Sequence, residues 1–269
     1  TFVHADDMIM IVKATTEGEE KDFQWEWIAA EANSPRYLFF KNQDKMDKIP
    51  QDYQLNPAAE ISQKNDINLS TQKLLAGGET VVGWQESKAE KGERILWINL
   101  THTYPQTNAG EICMKEIKKA GRQGFKKLQS THRKWWNAYY PASFITLPEI
   151  QKENFYWIQM YKLASATRGD RALLDNTGPW LTETPWPNAW WNLNVQLTYW
   201  ALNASDHLDL AASLENALYN HIDELRLNVP SAYRSNSLGI GVASNLECMS
   251  TEIGIPGKGK AQVGLLPWA

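Results

Sequence analysis

Gly178-Pro179-Trp180-Leu181-Thr182-Glu183-Thr184-Pro185-Trp186-Pro187-Asn188-Ala189-Trp190-Trp191-Asn192-Leu193-Asn194-Val195-Gln196-Leu197-Thr198-Tyr199-Trp200 is the stretch on which the reading of this chain turns. Its three prolines lack a backbone N–H and restrict the residue before them, so regular helix is excluded until at least Asn188. Asn192 and Asn194 stand two apart. On a helix their side chains would diverge by about 200°, whereas on extended backbone they point the same way. An extended segment followed by helix from about Val195 therefore brings two carboxamides together beside Trp190 and Trp191. Such a pair offers donors and acceptors suited to holding a sugar hydroxyl or a water. The plainer alternative is that both asparagines cap the helix while the tryptophans fill a core.

Tryptophan is the compositional anomaly. The 269 residues hold 13, and Trp180, Trp186, Trp190, Trp191 and Trp200 fall in this one stretch. Each indole can bury roughly 150–250 Å² while keeping an N–H that needs a partner. A cluster set among Pro, Asn and Thr suggests a flat, polar-edged ligand surface.

On either side the hydrophobic period differs. Residues 1 to about 105 read as β: Met8 to Val12, the alternation of Phe23, Trp25 and Trp27, Tyr37 to Phe40, Thr80 to Val82, and Ile95 to Leu100. A β-sandwich, or part of one, is the natural expectation, with 42–61 as a long connection. From about Asn108 the spacing becomes helical. Ile112, Ile117, Phe125 and Leu128 sit among charges interrupted by Gly121 and Gly124, which predicts one broken helix or two successive ones. Leu147-Pro148-Glu149 places proline and acid at the start of another helix, with Phe155, Ile158, Tyr161 and Leu163 as its apolar stripe. A further helix is expected from Ser205 through Leu208, Ala211, Leu214, Leu218, Ile222 and Leu225, closed by Pro230. The expected organisation is α+β: a partial β-sandwich over 1–107, a helical linker over 108–140 and the first part of a helical domain over 141–269.

Composition narrows the function. Lys plus Arg 27 against Asp plus Glu 31 gives a net charge of −4. The basic run Lys118, Lys119, Arg122, Lys126, Lys127 and Arg133 reads as a solvated helix face, so nucleic acid is not the expected partner. No run approaches the ~18 apolar residues of a membrane span. Cys113 and Cys248 read as two buried thiols in preference to a bridge. His132 and His207 lack partners at metal-ligand spacing, and no cofactor is implied. Ser143, Ser231 and Ser237 lie outside any Gly-x-Ser-x-Gly elbow. Gly239-Ile240-Gly241 and Gly257-Lys258-Gly259 do not continue into phosphate loops. Arg234 reads as a loop ion-pair former, with a sugar contact as the alternative. Sequons at Asn68, Asn99 and Asn203 carry little weight.

The string Trp190-Trp191-Asn192-Leu193-Asn194-Val195-Gln196-Leu197-Thr198-Tyr199-Trp200 resembles the Asn-x-Asn-x-Gln-x-x-Tyr-Trp signature of glycoside hydrolase family 95, which contains inverting α-L-fucosidases and related glycosidases. Gly178-Pro179-Trp180 and the run His132 to Trp136 with Ser143 to Pro148 are similar to the same group. The resemblance is specific over about 130–200 and diffuse before it. It implies a β-sandwich joined by linker helices to a six-fold (α/α)6 barrel. It also implies a carbohydrate substrate and a bacterial enzyme that is secreted or periplasmic, its leader absent here. By the same carry-over Asn192 and Asn194 would hold the attacking water. The clustered indoles of Trp180, Trp186, Trp190 and Trp191 are expected to shape the sugar site. Glu183, matched to no family role, is a candidate substrate contact, with a loop acid as the plainer reading. Inversion needs roughly 6.5–9.5 Å between acid and base to admit that water. The family's two carboxylates lie well downstream of the asparagines, and the chain ends 75 residues after Asn194. Neither is assignable, and Asp175 and Glu252 match no role. The expectation is an internal portion of a larger glycosidase. Competing readings are a non-catalytic carbohydrate-binding module, and a barrel phosphorylase, which would need a basic clamp not seen near 178–200.

Overall fold

The computed structural model describes residues 1–88, 92–174, 177–180, 182–191, 193–250, 253–254 and 260–261. Strands are β1 (Phe2–Val3), β2 (Ile9–Thr15), β3 (Glu60–Lys64), β4 (Ile67–Lys73), β5 (Glu79–Lys88), β6 (Glu93–Thr103), β7 (Ala189–Trp190) and β8 (Ala243–Ser244). Helices are α1 (Pro35–Lys41), α2 (Ala109–Gln123), α3 (Phe125–Ala142), α4 (Ile150–Ala166), α5 (Asn194–Ala204), α6 (Leu208–Asn220) and α7 (Ile222–Leu227). The protein is thus α+β. Its contacts divide it into two units, residues 1–33 with 54–139, and residues 34–53 with those from Tyr140 onward.

The first unit is an antiparallel six-stranded sheet in the order β1-β2-β6-β5-β4-β3. Period two along its strands sends Ile9 and Ile11, Ile67 and Leu69, Val81, and Ile95 and Trp97 into one core against α2. Helix α2 meets them with Cys113, Met114 and Ile117, and crosses β5 and β6. A single register row runs Leu69, Gly83, Asn99, Ile9. Gly83 leaves a gap in that row, and the Cys113 thiol fills it, 2.4 Å from where a Cβ would stand. Asn99 is buried and satisfied: its amide donates to Met8 O at 2.5 Å and its Oδ1 accepts from Thr101 at 2.7 Å. That burial makes its sequon unfit as a glycan acceptor. Glu79 reaches from β5 to accept the Ala109 N–H at 2.9 Å, satisfying an orphan donor at the start of α2. Gly124, at φ +77°, separates α2 from α3, the second of the two patterns expected. Lys118, Arg122, Lys126, Lys127 and Arg133 are exposed, and Lys119 is held by Asp7 at 2.7 Å.

Several expectations are corrected. Tyr37 to Phe40 is helix α1, started by Ser34, whose hydroxyl accepts the Arg36 N–H, and by Pro35 in the first turn. Phe23, Trp25 and Trp27 form no strand; Trp27 stacks on Trp84 of β5 at 5.3 Å, and the Arg94 guanidinium lies 4.0 Å from the Phe23 ring centre. On α4 the buried residues are Met160 and Ala164, while Phe155, Ile158 and Tyr161 are exposed. That helix is apolar around more than one face, so periodicity did not single out the inner one. The helix expected from Ser205 is two helices parted at His221, and Ser205 instead donates to Ala201 O at the end of α5. His207, buried by its surroundings with its pKa lowered by desolvation, occupies the cap position of α6.

Both cysteines are free and buried, as expected. Burial pushes the Cys113 thiol up to about 12 and the Cys248 thiol up to about 11. Among the described residues no helix is long and apolar enough to cross a membrane.

Candidate functional site

The second unit carries a cleft of about 380 Å³ between α4, α5 and the segment that joins them. Its making starts at Gly178. This residue has φ +62°, and a Cβ there would stand 2.6 Å from the Trp180 ring. Only glycine both adopts that backbone and leaves room for the indole to fold back over it. Trp180, 45% exposed, thereby becomes one wall. Leu163 and Leu174 and the exposed Leu197 supply apolar sides. Gln159 and Lys162 enter from α4, Thr177 from the joining segment and Thr198 from α5. The Lys162 ammonium lies 5.5 Å from the Trp180 ring centre. The Thr198 hydroxyl donates to Asn194 O at 3.1 Å, so its oxygen is left to accept from a ligand.

A chain of hydrogen bonds holds the floor. Leu174 N–H donates to the Tyr199 hydroxyl at 2.9 Å, Tyr199 O–H lies 2.7 Å from Ser213 Oγ, and Ser213 donates to Leu210 O at 3.0 Å. Because Ser213 spends its proton on Leu210, Tyr199 is the donor of the middle bond. Every link is buried, and burial raises the Tyr199 pKa. Tyr199→Phe strands the Leu174 amide and is expected to cost about 1–2 kcal/mol, read as a shifted urea midpoint with unchanged slope. An unchanged midpoint would remove Tyr199 from this role.

Of the residues singled out in the sequence, Trp180 lines the cleft and Asn194 stands one turn before Thr198. Asn194 is the first residue of α5 and exposed, on the same helix face as Thr198 by its i,i+4 spacing. Asn192 lies outside the described residues, as do Asp175 and Glu252. The extended run expected through both asparagines stops short. Strand β7 ends at Trp190, Leu193 N donates to Trp191 O at 2.8 Å, and Leu193 has φ +78°. Asn194 is therefore helical, in place of the straight backbone expected there.

Trp191 is core: it is 8% exposed and its indole N–H donates to Ser244 Oγ at 2.8 Å, bracing the β7–β8 pair. Trp190 and the exposed Trp186 form a separate aromatic pair, ring centres 5.6 Å apart at 57°. Neither lines the cleft. Glu183 is an exposed loop acid that accepts from Asn42 Nδ2 at 2.7 Å. Arg234 donates to Val229 O and Leu227 O at 3.0 and 3.1 Å, closing the end of α7. Gln159, Lys162, Thr177 and Thr198 were passed over in the sequence. On α4 the signal was present as a mixed stripe, 159, 162, 163 and 166, at helical spacing.

The geometry defines an α+β protein whose helical unit bears an aromatic-walled, polar-edged cleft. No protein-family model matches this sequence, and a search of curated proteins returns no match.

Proposed function

We propose that this chain is part of a glycoside hydrolase that cleaves an oligo- or polysaccharide with inversion, resembling family 95. On this reading the sheet belongs to a β-sandwich and the helices from Tyr140 onward belong to an (α/α)6 barrel. The protein acts outside the cytoplasm, in the periplasm or after secretion. Asn192 and Asn194 hold the attacking water, and the Trp180 cleft takes a sugar ring. The observation that carries the reading is that cleft: an exposed indole for the apolar face of a pyranose, edged by an amide and two hydroxyls, opening on the helix that Asn194 begins. Sites for small ligands have this composition, an apolar wall with a few convergent polar groups.

A second reading, a carbohydrate-binding surface without catalysis, is favoured by one fact. No carboxylate is among the described residues that line the cleft. The two readings part when a saccharide that binds is incubated with the natural gene product and the anomer released is followed by proton NMR. Release of the inverted anomer supports the enzyme; binding with no cleavage supports the module. Binding itself is tested by titrating a panel of neutral and acidic oligosaccharides. Trp180→Ala is expected to weaken affinity by about tenfold, or ~1.4 kcal/mol, while Trp191→Phe acts on stability. If no saccharide in the panel binds, or if Trp180→Ala binds as well as the parent, the carbohydrate reading falls.

A further inference from the structure

We infer that the cleft selects a saccharide bearing a carboxylate, a hexuronate residue, with Lys162 as its charge reader; this rests on the carbohydrate reading above. Among the described residues that line the cleft one is a cation, Lys162, and none is an anion, and that charge attracts an anionic ligand. Lys162 also differs from most cations of its unit. Lys45, Lys48 and Lys152 rest on Gln43, Asp47 and Glu149. Arg36, Arg168, Arg171, Arg226 and Arg234 likewise rest on oxygen acceptors. Lys162 has no carboxylate partner among the described residues and lies over the Trp180 ring instead. Lys41 over Tyr37 and Arg36 over Phe40 are also placed on rings, and neither lines the cleft.

The ammonium therefore stands above the surface on which a pyranose would lie. A neutral sugar stacked on Trp180 competes with it for the indole face. A uronate gives it a better partner, because a charge-assisted hydrogen bond to a carboxylate outweighs a cation–π contact at an exposed site. The same ring presents hydroxyls to the Thr198 oxygen, whose own proton is committed to Asn194 O, and to the Gln159 carboxamide, which both donates and accepts. A cleft of about 380 Å³ falls within the range of small-ligand sites, roughly 300–1,000 Å³. Flat face, hydroxyls and carboxylate are together the description of a hexuronate.

The test uses matched pairs: oligogalacturonate against the neutral oligogalactoside of the same length, and glucuronate-bearing against glucose-bearing oligosaccharides. Each is titrated into the protein by calorimetry at low and high salt. The acidic member is expected to bind about fivefold tighter at low salt, as befits an ion pair at an exposed lysine, with the advantage shrinking as salt rises. Lys162→Met is expected to erase the acidic member's advantage over its neutral match, and Lys162→Arg to retain it. Equal binding of both members by the parent protein overturns the inference and leaves the carbohydrate reading standing. So does an acidic preference that survives in Lys162→Met. Binding of neither member of any pair overturns both readings.

Discussion

If the proposed glycosidase reading holds, Asn194→Ala is expected to lower turnover of the natural gene product on a saccharide it cleaves by about 100-fold while leaving its melting temperature unchanged. The magnitude is that of removing one hydrogen-bonding group that acts on the transition state, roughly 10²–10³ in rate. The indifference of stability follows from where the side chain sits. Asn194 is exposed at the first position of α5, and its carboxamide forms no hydrogen bond among the described residues; only its backbone oxygen is engaged, by Thr198. Alanine suits a helix better than asparagine, so its loss removes nothing the fold uses. A fall in turnover at constant stability is then a chemical effect. A lowered melting temperature with normal turnover would instead mark Asn194 as structural and withdraw the water-holding role. Asn192→Ala completes the comparison, with a larger effect on kcat than on KM, as expected of a group that orients water and not substrate.

Gly83→Val is expected to destabilise the first unit by about 3 kcal/mol or more. Gly83 faces α2 from the centre of β5. A single added Cβ would stand 2.4 Å from Cys113 Sγ, 3.0 Å from Ile117 Cδ1 and 3.1 Å from Leu69 Cδ2. Valine adds two further methyl groups to that space, and overpacking of a closed core typically costs about 1–3 kcal/mol, more where the neighbours are fixed. Cys113, Ile117 and Leu69 are all buried, so none can swing out to solvent. The cause is separable from a general strand effect. Cys113→Ala removes the sulfur nearest the new atom, and combining it with Gly83→Ala should recover about 1 kcal/mol relative to the sum of the single changes. The Cys113 thiol, held near 12 by burial, is unreactive while folded, so its labelling rate offers a second readout of opening. Strict additivity of the two changes would show that sulfur and strand do not share the space.

The change from β to helical character near residue 108 was legible because period two and period 3.6 are distinct along Ile95–Leu100 and Ile112–Leu128. The break at Gly124 was legible for the same reason, glycine being the residue a left-handed turn accepts. Strand β3 was not. All five of its residues are exposed at the sheet edge, so no alternation of apolar and polar residues marks it. Helix α1 was misread on the aromatic run Tyr37–Phe40, although Ser34-Pro35 already carried a helix start. The alternation of Phe23, Trp25 and Trp27 was real in the sequence but serves ring packing onto the sheet without hydrogen-bonded pairing.

The sequence alone determined that this chain is α+β, that its cysteines are buried thiols, and that residues 178–200 concentrate indole and carboxamide groups in a stretch whose prolines bar regular helix until at least Asn188. Tertiary structure decided which of those indoles is available to a ligand. The same ring serves a core and a sugar equally well, so its composition is silent on the choice. Trp191 is taken inward by a bond to Ser244, 53 residues away, and Trp180 is turned onto a cleft by the left-handed backbone of Gly178. Lys162 joins it from α4. Such pairings arise from packing between segments distant along the chain, and no local period records them.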